Sequence, residues 1–312
     1  MKKLMYLISA IAGTVGFSTA ANADISVSGS GGLAIVNDGA ASDNAVYDSA
    51  GVSFALSTTT SNGLGISMGM GITDASGTSA TAVTGGDTVT FTTGGATIVV
   101  GAIDVPGAGT GAVGGVNGDW VDLASVASSA GTASTDIAVT SGDGFTLSTA
   151  MGGATLTVGY AADNTQNGET LLDSTATGAG ATLSMPLGSM SATIGFAQGD
   201  DGTDSETSVG GSLAIAAGGG TLTVGMNQGS LAAGDATSMG ATYAMSLDAD
   251  TSLSVGYNNT KDAANNTTTT EVSMSRSLGG GVALFLDVEN VTGDTAANEA
   301  GTAIAVGSTF SF

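Results

Sequence analysis

The sequence predicts an all-β fold, an antiparallel β-barrel that crosses a membrane with its strands. Short runs of alternating apolar and polar residues extend from residue 24 to the end of the chain, separated by turns rich in Gly, Asn and Asp. No apolar run in that part of the sequence reaches the length that a membrane helix needs. Tight turns alternate with longer polar segments, which is typical of barrels with short turns at one end and long loops at the other.

The first residues form a targeting segment. Two lysines precede an apolar run at residues 4–17, and the small-residue sequence Ala-Asn-Ala follows at residues 21–23. This order is typical of a secretory signal peptide with its cleavage site, whereas a membrane anchor needs a longer apolar run. We therefore predict a signal peptide at residues 1–23 and a single barrel domain at residues 24–312, outside the cytoplasm.

The alternating runs predict sixteen strands. Residues 76–92 have an ambiguous pattern, and residues 141–144 fit either a turn or part of a strand, so fourteen and eighteen strands remain alternatives. The predicted strands lie at residues 24–36, 49–60, 63–73, 84–92, 95–103, 136–150, 153–161, 176–187, 189–198, 206–217, 220–227, 235–247, 250–258, 270–278, 281–289 and 300–312.

The two faces of the predicted strands differ in character. In the strand at residues 250–258, Leu253, Val255 and Tyr257 alternate with Ser and Gly residues. A face of small neutral residues covers a surface in bulk water poorly but suits a water-filled lumen, and the apolar face suits lipid or a subunit interface. On the polar faces of later strands we predict three lumen-facing acids, which are Glu271, Asp287 and Glu289.

One long segment, residues 104–143, interrupts the strand pattern. It contains the only tryptophan of the chain, Trp120, and several acidic residues. A loop of this length inside a compact domain is usually functional. We predict that it folds into the lumen of the barrel and controls what passes.

The composition excludes several classes of function. The chain has no His and no Cys, so it lacks the residues for a Ser-His-Asp triad, a cysteine nucleophile or an ordinary zinc site. Its 27 acidic residues outnumber four basic ones, and the formal net charge of −23 disfavours binding to nucleic acid. We therefore expect neither an enzyme nor a nucleic-acid-binding protein.

Acidic clusters in the predicted loops are candidate sites for a structural Ca²⁺ ion, because calcium prefers oxygen ligands. The alternative interpretation is that these acids are only solvated loop residues. The candidate ligands are Asp119 with Asp122, or Asp200 with Asp201 and Asp204.

A second class of protein accommodates the same composition, namely a secreted or surface Ca-binding β-solenoid of the adhesin or S-layer type. The fragment Gly85-Gly86-Asp87 matches part of a calcium-binding nonapeptide. Such nonapeptides repeat in tandem, and this sequence shows no fixed period. The barrel is therefore the favoured prediction.

The two ends of the predicted barrel domain carry the most specific motifs. Residues 24–29 are DISVSG, and residues 301–312 are GTAIAVGSTFSF, with one apolar face and an aromatic last residue, Phe312. Together with the signal peptide, the glycine-rich strands and the missing Cys, these motifs resemble those of Gram-negative outer-membrane porins. The chain is most similar to the alphaproteobacterial general porins.

This resemblance implies a location and a function. Such porins are sixteen-stranded homotrimers of the outer membrane, in contact with its lipid and lipopolysaccharide. They form water-filled channels through which ions and small hydrophilic solutes diffuse passively, without a cofactor. Their third outer loop forms the constriction, and the long segment is the third long loop of this chain. Matched by position, the acidic residues of the constriction are Asp104, Asp119 and Asp122. For Trp120, on the same loop, two interpretations stay open: it packs the loop onto the inner wall, or it lies at an interface.

The sequence departs from that family pattern in its basic residues. In such porins a basic cluster faces the acidic loop, but after the signal peptide only Lys261 and Arg276 are basic. Lys261 falls in a predicted outer loop, and Arg276 shares the face of its apolar neighbours, from which a long side chain can reach the membrane interface. Because carboxylates in a pore favour cations, we predict a cation-selective channel.

Overall fold

A computed structural model describes residues 23–37, 44–75, 81–85, 88–113, 137, 139–162, 176–232, 234–262, 266–294 and 301–312. No helix in these residues is long and apolar enough to cross a membrane. Within them the chain forms seventeen strands: β1 (Ala23–Asn37), β2 (Asn44–Thr59), β3 (Gly65–Ala75), β4 (Thr81–Gly85), β5 (Thr88–Thr93), β6 (Ala96–Asp104), β7 (Ser141–Met151), β8 (Ala154–Ala162), β9 (Thr177–Leu187), β10 (Met190–Asp200), β11 (Ser205–Ala217), β12 (Gly220–Leu231), β13 (Gly234–Ser246), β14 (Thr251–Lys261), β15 (Asn266–Gly279), β16 (Val282–Asp294) and β17 (Gly301–Ser311).

These strands form one closed antiparallel sheet. Apart from β4, each strand pairs with its neighbours along the sequence, and β17 returns to pair with β1, where Gly31 lies opposite Phe310. β4 and β5 both pair with β3, and only β5 pairs with β6, so the two short strands together form one interrupted strand of the barrel. The barrel therefore has sixteen strands, as predicted. Its closed antiparallel sheet does not favour the β-solenoid alternative.

The structure describes residues 141–144 and, of the ambiguous stretch 76–92, residues 81–85 and 88–92. β7 continues without a break through residues 141–144 and pairs there with β6. The predicted strand at residues 84–92 is instead divided between β4 and β5. Neither outcome changes the count of sixteen.

Tight turns join seven pairs of strands at the end of the barrel where β1 begins and β17 ends. At Gly152 and Gly153 both φ angles are positive, 59° and 96°, and at Gly218 and Gly219 they are 58° and 85°. Two successive positive φ angles are the backbone of a type I′ hairpin turn, which matches the twist of the strands that it joins. Glycine adopts this conformation without the strain that a side chain would add.

The opposite end of the barrel differs from the prediction at three connections. β10 and β11 pair as far as Asp200 with Ser205, β12 and β13 as far as Leu231 with Gly234, and β14 and β15 as far as Lys261 with Asn266. The strands extend through residues that the sequence assigns to loops, so little chain remains between them. The predicted strict alternation of tight turns and long loops is wrong at these three positions.

The outer face of the barrel is apolar and its inner face holds small residues. On β10, exposed Ile194 and Phe196 alternate with buried Gly195 and Ala197. The exposed apolar side chains continue on the other strands, which suits a barrel surrounded by lipid. Two clusters of buried apolar residues lie on the inner side, the first formed by Ala34, Val36, Phe285, Ala303 and Ala305, and the second by Ile103, Val105, Ile137, Ala161 and Ala197.

Candidate functional site

After β6 the chain continues as a ribbon of turns along the inner wall of the barrel. We call residues 105–113 the inner segment. Pro106 and Gly107 occupy the central positions of its first turn, where proline supplies the required φ and glycine accepts a positive one, as in a type II turn. The φ angles at Gly107, Gly109 and Gly111 are 96°, 61° and 93°. Three overlapping turns result, with hydrogen bonds from Ala108 N to Val105 O (3.3 Å), from Thr110 N to Gly107 O (3.2 Å) and from Ala112 N to Gly109 O (2.9 Å).

The inner segment lies against a row of glycines on the wall. These residues come from strands β9 to β13, and we call them the glycine row. Their Cα atoms approach the segment so closely that a methyl group at any of these positions would overlap it. Glycine allows this approach because it has no side chain. The row consists of Gly180, Gly195, Gly210, Gly225 and Gly240.

A buried side chain also holds the inner segment to the wall. Asn227 on β12 donates a hydrogen bond from Nδ2 to the backbone oxygen of Thr110 at 3.0 Å. Its Oδ1 accepts a hydrogen bond at 3.1 Å from the hydroxyl of Ser208 on β11. Asn227 is fully buried, so these bonds are shielded from competing water and hold the segment at one place on the wall.

The start and the end of the long loop meet beside the wall. Val105 N donates to Thr140 O at 2.7 Å, and Ile103 packs in the second buried cluster with Ile137 and Ala197. Because neighbouring residues of a strand point to opposite faces, Asp104 lies on the other face from Ile103, and it is exposed. The structure therefore does not bring Asp104 to the inner face with the segment, and its predicted place in the constriction is wrong.

The other predicted constriction residues, Asp119, Trp120 and Asp122, lie outside the described residues.

Three carboxylates lie together on the inner face of β15 and β16. Glu271 is directly opposite Glu289, and Asp287 lies two residues before Glu289 on the same face of β16. Their neighbours on the outer face, such as Val272 and Leu286, are exposed, whereas all three acids are buried. This acidic group is on a different wall from the glycine row.

Both basic residues of the barrel domain point away from this acidic group. Arg276 alternates with inward Ser273 and Ser275 and donates to the hydroxyl of Thr251 at 3.5 Å. Lys261 is the last residue of β14 rather than part of a loop, and it has the same orientation as outward-facing Tyr257. Since the sequence from residue 4 onward contains no other Lys or Arg, no basic side chain lies on the inner face of the described strands.

The sequence profile of the Gram-negative porin family matches residues 9–296, most of the chain. The protein belongs to the Gram-negative porin family. It is a passive channel of the bacterial outer membrane and not an enzyme.

Solved porin structures share its fold. An anion-selective porin from Comamonas acidovorans is 15% identical, with a TM-score of 0.66, and a porin structure refined at 1.8 Å resolution is 16% identical, with a TM-score of 0.70. A variant of the Rh. blastica porin is 17% identical, with a TM-score of 0.63. Each comparison covers 93% of this chain and 100% of the other. No curated protein sequence matches the chain.

The acids of the 201–204 loop of this porin make local hydrogen bonds. Asp201 Oδ1 accepts from the backbone N of Asp204 and of Thr203, both at 2.8 Å, and these bonds lower the pKa of its carboxyl. Asp200 accepts from Gly202 N at 2.8 Å. The two carboxylates thus close the turn, and within the described residues no three His, Cys, Asp or Glu side chains are grouped to hold a metal ion.

Sequence reasoning missed the glycine row and Asn227. A signal for the row exists, because its five members follow one another at intervals of fifteen residues. Consecutive hairpins of equal length place such residues side by side, and Gly195 is directly opposite Gly210, as Gly225 is opposite Gly240. Nothing in the sequence distinguishes Asn227 from other polar strand residues.

Proposed function

We propose that this porin passes ions and small hydrophilic solutes by passive diffusion and that it prefers cations. The observation that supports the preference is the distribution of charge on the barrel. Glu271, Asp287 and Glu289 lie on the inner face, and the two basic residues of the barrel domain, Lys261 and Arg276, lie on the outer face.

The physical reason is electrostatic. Carboxylates that line a narrow aqueous path attract cations and repel anions, whereas anion pores need Arg or Lys at the same place. The walls of the path have a low dielectric constant, which strengthens this field inside the pore. The anion-selective Comamonas porin has the same fold, so the fold does not determine the sign of the selectivity.

The proposal extends to assembly and processing. The family is typically trimeric, and we propose that this chain forms a homotrimer in contact with outer-membrane lipid and lipopolysaccharide, after removal of residues 1–23 as a signal peptide. We also place Asp119, Trp120 and Asp122 at the constriction. Diffusion of this kind requires no cofactor, and a structural Ca²⁺ ion at Asp119 and Asp122 stays a prediction.

The test is the zero-current potential of single channels in a planar bilayer across a KCl gradient. We expect a sign that corresponds to preferred passage of K⁺. Replacing the three inner acids of β15 and β16, as Glu271→Gln, Asp287→Asn and Glu289→Gln, should reduce the permeability ratio several-fold while the folded barrel still inserts.

A matched control separates this effect from a change in net charge. The triple variant Asp200→Asn, Asp201→Asn and Asp204→Asn removes the same number of charges from the end of β10 and the exposed loop that follows it, and should keep most of the cation preference. Anion preference in the native channel, or equal loss in both triple variants, would contradict the proposed role of the inner acids.

A further inference from the structure

The contacts of the glycine row show how tightly the inner segment is positioned. A Cβ atom at Gly195 would meet only side-chain atoms of Thr110 as its three nearest neighbours. At Gly225 the three nearest atoms also belong to the segment, from Gly111 and Val113. The space that a side chain would occupy at these positions is therefore filled by the segment itself.

The backbone of the segment faces the row. The carbonyl oxygens of Pro106, Thr110 and Val113 lie where the Cβ atoms of Gly180, Gly210 and Gly240 would be. Carbonyl oxygens so close to Cα atoms form weak Cα–H to oxygen contacts, which recur between adjacent strands. Only glycine permits this contact of backbone with backbone, so the row defines a path on the wall.

We propose that the glycine row, together with Asn227, positions the inner segment and thereby sets the cross-section of the channel. The row is a determinant of solute size and is separate from the acids that determine charge preference. This inference rests on the proposed diffusion function, because it concerns how large a solute the same channel admits.

The consequence of adding one methyl group to the row follows from the geometry. The wall is a hydrogen-bonded sheet that yields little, whereas the segment is bonded to it at Thr110 by one side chain. A methyl group at Gly195 would therefore displace the segment toward the axis of the barrel. Since passage depends on pore diameter, the channel should narrow.

The experiment compares Gly195→Ala with the native porin in a planar bilayer and in a liposome-swelling assay with neutral sugars of increasing size. We expect a single-channel conductance lower by about 1.5-fold and a smaller size limit, because a methyl group is large relative to a narrow pore. The zero-current potential should stay the same, since the inner acids are unchanged.

The matched control is Gly69→Ala. Gly69 is also in mid-strand, on the inner face of β3, and a Cβ atom there would make only an ordinary contact, at 3.7 Å from the oxygen of Phe54. Its conductance should equal that of the native channel. Equal conductance losses in Gly195→Ala and Gly69→Ala would overturn the inference.

A compensating change tests the contact itself. Thr110→Gly removes every atom that the new methyl group at residue 195 would meet first, so the double variant should recover the native conductance and size limit. A merely structural role for Gly195 would not give this recovery. If the double variant stays as narrow as Gly195→Ala, the effect comes from the barrel and the inference is wrong.

Asn227→Ala is a second test of the same inference, in case Gly195→Ala does not fold. It adds no side-chain volume to the wall. It removes the donor to Thr110 O and should increase open-channel current noise, with the folded barrel confirmed by heat-modifiable gel mobility. Native noise in this variant would overturn the role of Asn227. A native porin that conducts no ions would instead contradict the proposed function, so the two failures are distinguishable.

Discussion

The wall of β9–β13 and the wall formed by β16, β17 and β1 both contain strand glycines, but different groups cover them. On the first wall the backbone of the inner segment lies over the glycine row. On the second, aromatic rings cover three of the glycines. The pairs are Gly307 with Phe285 on the inner side, and Gly31 with Phe310 and Gly29 with Phe312 on the outer side, where the first and last strands meet.

This difference separates two properties of the channel, the size limit for solutes and the preference for one sign of charge. The wall covered by backbone carries one inner acid, Glu206 on β11, and the inner segment takes up space there, so this wall acts mainly on the size of a solute. The wall covered by Phe285 also carries Asp287 and Glu289, among buried Val36 and Ala305. Apolar neighbours lower the local dielectric constant, so the charge of these acids acts more strongly there than in water.

The largest expected effect is the loss of stability when the aromatic ring of Phe285 is removed from the second wall. Phe285 is 6% exposed and its ring occupies the space over Gly307, so Phe285→Ala should leave a cavity and cost about 3–5 kcal/mol of unfolding free energy. The measurement is urea unfolding followed by heat-modifiable gel mobility. Phe196→Ala is the control, because Phe196 is 48% exposed on the outer face and should cost less. Equal losses would show that the ring over Gly307 has no special role.

The second largest expected effect is the dependence of the cation preference on salt. Salt screens the charge of the acids on the second wall. The Debye length falls from about 10 Å at 0.1 M to about 3 Å at 1 M. The cation preference should therefore decline over this range, while the smaller size limit expected for Gly195→Ala should not change. The measurement is the zero-current potential at a constant salt ratio and increasing mean concentration. A size limit that varied with salt would break the separation of the two walls.

The fold was predictable because a strand has a period of two. Alternation of apolar and polar residues indicates which residues face lipid, and tight turns divide the strands, so sixteen strands could be located without knowledge of their partners. The same rule shows why Asp104 was assigned wrongly. The alternation of β6 continues to its last residue, Asp104, where the prediction had already begun the loop.

The details of the site were less predictable. Glycine serves in tight turns, in the inner segment and on the wall, and composition does not distinguish these uses. The contact between Gly210 and Thr110 joins residues far apart in the sequence, so no local pattern indicates it. The positions of Glu271, Asp287 and Glu289 were easier to predict, because each occupies a polar place in an alternating strand.

The smallest expected effect is that of Arg276→Gln. This substitution tests whether the acidic wall lacks an inward positive charge. In the turn at residues 247–250, Asp248 Oδ1 accepts a hydrogen bond from Asp250 N at 2.8 Å. This bond, a second one from the Thr251 hydroxyl and, less strongly, the charge of Arg276 lower the pKa of the exposed Asp248 carboxyl. Because the folded pKa lies below the unfolded one, the carboxylate stabilises the turn above the unfolded pKa. That contribution disappears as the pH falls through the folded pKa.

Arg276→Gln should therefore raise the pKa of Asp248 slightly, since the effect of a charge on an exposed group is screened by water. The pKa of Asp201, whose hydrogen bonds involve no basic residue, should not change. Carbon-13 NMR titration of the two carboxyls in detergent measures both. The same variant should keep the native cation preference, because Arg276 lies on the outer face beside Thr251. A stronger cation preference in Arg276→Gln would mean that this side chain acts inside the channel, and the acidic wall would then not be free of positive charge.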